Sequence, residues 1–133
     1  TGNTTTSTSL VDLDGLSLAL TAGTWQFEAM VIGQSSSTAG VKFAINYSGS
    51  TTSIEAGQEA HSSSTGFVAF TRITAFNTGS TTCWTTANAE ANAYITGQVV
   101  VSGAGNLVVR GNKNTSGTLT YRASSWIKAF QIA

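Results

Sequence analysis

Only 9% of the 133 residues are charged, against about a quarter in an average soluble protein, while 41% are hydrophobic. Six basic and six acidic residues cancel to a formal net charge of zero, which removes the electrostatic footprint expected of a nucleic-acid binder or of a protein held to an anionic membrane. The single cysteine, Cys83, excludes an intramolecular disulfide and a multi-cysteine zinc site, so stability is expected from packing alone.

Polarity comes instead from Ser, Thr, Asn and Gly, whose short side chains compete for backbone hydrogen bonds and favour turns and strand edges over helix interiors. Residues 1–9 contain no large apolar side chain and read as a flexible arm or linker end; residues 10–133 suit a single domain. Asp12-Leu13-Asp14-Gly15 has the first oxygens of a calcium loop but lacks the closing glutamate, so a strand end and tight turn is the better reading. The strongest strand covers residues 24–32, with Trp25, Phe27, Ala29 and Val31 on one face and Gln26, Glu28, Met30 and Ile32 on the other. That second face turns apolar toward its end, as in a sandwich whose outer surface is partly covered. Residues 41–47 alternate in the same way, and residues 47–50 turn the chain.

Residues 57–64 read as a Ser- and Gly-rich loop carrying Glu59 and His61. Residues 66–76 read as a long strand or a bulged pair of ambiguous register. Strands are then expected at 94–102, 106–110, 118–123 and 126–132, with Gly103-Ala104-Gly105 and residues 111–117 as turns. About eight strands and no helical periodicity predict an all-β fold, an antiparallel, jelly-roll-like β-sandwich. No apolar run reaches about 18 residues, so membrane insertion is not expected.

Catalytic chemistry has few groups to draw on. Glu55 and Glu59 sit in a turn-like region without an evident pocket, and a Ser-His-Glu arrangement around His61 is outweighed by a solvated loop histidine. The chain is therefore expected to be no enzyme and to need no cofactor or metal. The one sugar-friendly set is Trp84 with Asn88, Glu90 and Asn92, an aromatic face beside amides and a carboxylate; the same tryptophan reads equally as a core or interface anchor.

Residues 20–29, with Ala22-Gly23-Thr24-Trp25-Gln26-Phe27 at their centre, resemble the strand that opens trimeric jelly rolls. Ser124-Ser125-Trp126-Ile127-Lys128-Ala129-Phe130-Gln131-Ile132-Ala133 resembles the closing strand of tumour necrosis factor-like and complement-collagen head domains. Ile95-Thr96-Gly97-Gln98-Val99, Ala104-Gly105-Asn106-Leu107-Val108-Val109-Arg110, Asn114-Thr115-Ser116 and Ser125-Trp126-Ile127 are similar to short motifs of bacteriophage virion domains, over roughly residues 16–133. This resemblance implies a homotrimer on the virion surface. It would serve as a capsid decoration protein or a receptor-binding tail-fibre head, with other virion proteins and a host-surface glycan as its partners. It also implies that Trp126 and Phe130 lie near the threefold axis, although both read equally as core. A carbohydrate-binding module or lectin on the same sandwich, with the Trp84 set as its site, is the alternative.

Overall fold

The structure, a computed structural model, describes residues 3–133. It is all β: β1 (Asn3–Thr5), β2 (Val11–Leu20), β3 (Gly23–Ser35), β4 (Val41–Tyr47), β5 (Thr51–Ser62), β6 (Gly66–Ile73), β7 (Ala91–Val101), β8 (Gly105–Lys113), β9 (Leu119–Tyr121) and β10 (Trp126–Gln131). One sheet runs β1-β9-β3-β7-β5-β6, with β10 also paired to β3; the other runs β2-β8-β4. Every pairing is antiparallel. The chain crosses from sheet to sheet between β1 and β2, β2 and β3, β3 and β4, β4 and β5, β7 and β8, and β8 and β9. That wrapping gives the expected jelly-roll-like sandwich.

Alternation sets which side chains face inward. Phe27, Ala29 and Val31 from β3, Ile95 and Val99 from β7, Phe43 and Ile45 from β4, and Leu107 and Val109 from β8 form one hydrophobic cluster between the sheets. At about 25 cal/mol per Å² of apolar surface, this burial is the main stabilising term for a chain without a disulfide.

Several expectations are corrected. The arm is not free along its length: β1 pairs with β9, Asn3 opposite Tyr121. Residues 1 and 2 of that arm lie outside the described residues. The region around Glu55, Glu59 and His61 is not a turn and loop but β5, between β7 and β6. Its inward positions include Ala56, Gln58, Ala60 and Ser62, small or polar residues that conceal the alternation. Residues 12–15 do not end a strand; they form a bulge within β2, with Gly15 at φ 83°. The ambiguous register of residues 66–76 resolves into β6 with an irregularity opposite Ala60 and His61. It turns both Phe67 and Phe70 outward.

The small sheet is completed by an irregular strap, residues 77–88, laid along the free edge of β4. Asn77 N–H donates to Ile45 O at 2.7 Å and Ser80 N–H to Phe43 O at 2.8 Å, while Cys83 and Val41 exchange two bonds of 2.9 Å. The strap satisfies backbone groups that would otherwise form an open sheet edge.

Candidate interaction face

The outer face of the large sheet is the candidate site, and the register builds it row by row. One row carries Trp126, Met30, Tyr94, Glu59 and Phe70; the next carries Lys128, Glu28, Thr96, Gly57 and Arg72; the third carries Phe130, Gln26, Gln98 and Glu55. Trp126, Phe130 and Ile132 stand along the β10 margin and Phe67 and Phe70 along the β6 margin. Phe67 and Phe70 are each 56% exposed, Phe130 52% and Trp126 36%. The core reading of Trp126 and Phe130 is thereby removed: pairing with Met30 and Gln26 puts both on the solvent side, while Ile127 and Ala129 turn inward.

Polar groups hold the centre of this face in order. The Tyr94 hydroxyl donates to Glu28, and Lys128 Nζ lies 3.4 Å from the same carboxylate and 5.2 Å from the Trp126 ring. The Tyr94 hydroxyl, chiefly, and Lys128 hold the Glu28 carboxyl below its ordinary value against partial desolvation. Arg72 pairs with Glu55 and also donates to Ala56 O at 3.1 Å. At Gly57 a Cβ would stand 3.0 Å from the Phe70 ring, so that ring leans across the glycine.

The proposed sugar set is divided by the structure. Trp84 is 1% exposed, its ring 5.0 Å from Phe43 in an edge-on contact and its Nε1–H donating to Asn92 O at 3.1 Å. It has no free face for stacking. Trp84 and Asn88 belong to the strap, both with left-handed backbone, φ 55° and 58°. Glu90 and Asn92 do come together, in a pocket of about 310 Å³ with Ile32, His61, Ser62, Ser63 and Ala91. Arg122 grips Glu90 with two bonds and, as the largest influence, holds its carboxyl below the ordinary value. Sequence reasoning left His61 in a loop because β5 was not recognised as a strand.

Cys83 is fully buried and its thiol is pushed up to about 12 by that burial. Among the described residues no group of three or more His, Cys, Asp or Glu side chains is placed to hold a metal ion. No family model, curated protein or solved structure matches this chain.

Proposed function

We propose that the chain is a virion structural protein that assembles as a homotrimer, as capsid decoration or as a tail-fibre head, with the outer face of the large sheet as its contact surface. The observation that carries the reading is the line of exposed apolar side chains on β10 and just beyond it, Trp126, Phe130 and Ile132. Large apolar groups aligned on one face mark a contact surface. On a chain with so few charges they lack the repulsion that would keep copies apart. Gln26, Glu28, Thr96 and Gln98 make the centre of the face polar, which disfavours two sheets stacked flat and favours contact through the apolar margin, leaving the centre wet. Threefold closure and the virion setting come from the resemblance of the closing strand to trimeric jelly rolls and of the second half to bacteriophage virion domains.

Burying each large apolar side chain contributes about 1.5–3 kcal/mol, so removing two of them weakens the assembly more than a hundredfold. Trp126→Ser combined with Phe130→Ser is expected to reduce the trimer to single chains while the circular dichroism and unfolding midpoint stay close to wild type, because both residues face solvent within one copy. A double variant that remains trimeric overturns the assignment of this face.

A further inference from the structure

We infer that the corner where β5 ends and β7 begins is a binding subsite for one neutral sugar ring, with Asn92, Glu90, His61 and Ser63 as polar ligands and the exposed Phe67 ring, edge-on against His61, as an aromatic flank. The inference goes beyond assembly and does not depend on it. The register sets Ile32, Asn92, His61 and Phe67 in one row across the outer face, and the His61 and Phe67 rings meet edge-on at 5.6 Å. The pocket along this row has a volume of about 310 Å³, at the small end of the roughly 300–1,000 Å³ of ligand sites, a size for one ring and not for an oligosaccharide.

The lining decides the ligand class. Hydroxyl, amide, imidazole and carboxylate groups offer both donors and acceptors at short spacing, which suits a molecule whose every hydroxyl both gives and takes a hydrogen bond. The exposed Phe67 ring beside His61 gives the C–H face of a sugar ring that reaches past the pocket something to lie against. An anion is a poor fit: the one guanidinium beside the pocket, Arg122, is already taken up by both oxygens of Glu90, and that carboxylate would face the anion. The site is also held in advance. Ser63 N–H donates to Glu90 O at 2.8 Å, Ser62 Oγ and Ser64 Oγ are 3.0 Å apart, and the buried Trp84 indole fixes the Asn92 backbone from beneath. Little ordering is then left to oppose binding. Trp84 thus supports the site without touching its ligand.

The test is titration of the ¹⁵N-labelled chain with glucose, galactose, mannose and N-acetylglucosamine in turn, up to about 0.1 M, where a millimolar site saturates. The expected result is saturable amide shifts confined to residues 61–67 and 90–92 with at least one of the four, abolished in Asn92→Ala and weakened about tenfold in Phe67→Ala. Because Phe67 is exposed, its variant keeps the fold and carries the test even where Asn92→Ala does not. Comparing the binding sugar with its methyl glycoside separates a free monosaccharide from the end of a glycan chain. Three outcomes overturn the inference: no saturable shift with any of the four, shifts unchanged in Phe67→Ala, or shifts at this corner with inorganic phosphate and none with sugar.

Discussion

Trp84 and Trp126 carry the same side chain into opposite surroundings, one sealed against Phe43 and the other standing on a solvent-facing strand. Their local sequences do not announce the difference. Trp84 lies among Thr, Ala and Asn because its partners, Phe43 and the Asn92 carbonyl, are brought to it by the strap and not by its own neighbours. Trp84→Ala is expected to cost about 3–5 kcal/mol, read as a lower denaturant midpoint, as for other large buried aromatics; a cost below about 1 kcal/mol would contradict its place in the core. The Cys83 thiol, whose ordinary value is 9.0, holds its proton to about 12 in the folded chain. The unfolded chain releases that proton first as pH rises. The contribution of Cys83 to stability is thus complete below about pH 9 and is lost as pH climbs toward 12. The wild type should lose stability between pH 9 and 11 faster than Cys83→Ala, and thiol reagents at neutral pH should label Cys83 only after unfolding.

Among the elements, those with large side chains at every second position were legible. β3 and β4 alternate Trp25, Phe27, Ala29 and Val31, and Val41, Phe43, Ile45 and Tyr47, and both lie where the pattern placed them. β5 was hidden because Gln58 and Ser62 are buried along with small alanines, a packing made possible by the strap: Gln58 Nε2 reaches Ser80 Oγ at 3.3 Å. The strap itself has no period, only hydrogen bonds to a distant strand, so nothing local could reveal it. It depends on Gly40, which has φ 78° and whose missing Cβ would stand 2.5 Å from Cys83 O. Gly40→Ala is expected to cost about 1–3 kcal/mol and to speed amide exchange at Ser80 and Cys83 before that of β3 and β7. Exchange that rises evenly over the whole chain would show that the strap is not a separate unit.

For the whole molecule, the all-β sandwich followed from composition, turn spacing and alternation, whereas the face that meets solvent with its aromatics followed only from register. Pairing of β10 with β3 turns Trp126 and Phe130 out along one margin, and the irregularity in the β5–β6 pairing turns Phe67 and Phe70 out along the other. A one-residue slip in either strand would have sent these rings inward. The sugar corner likewise exists only because β5 and β7 set His61 beside Asn92. Self-assembly through the outer face is read from the mass of the purified wild-type chain in solution, followed by light scattering over a range of concentrations. A mass of three times 13.7 kDa is expected; one of 13.7 kDa that persists at every concentration would overturn the proposed trimer.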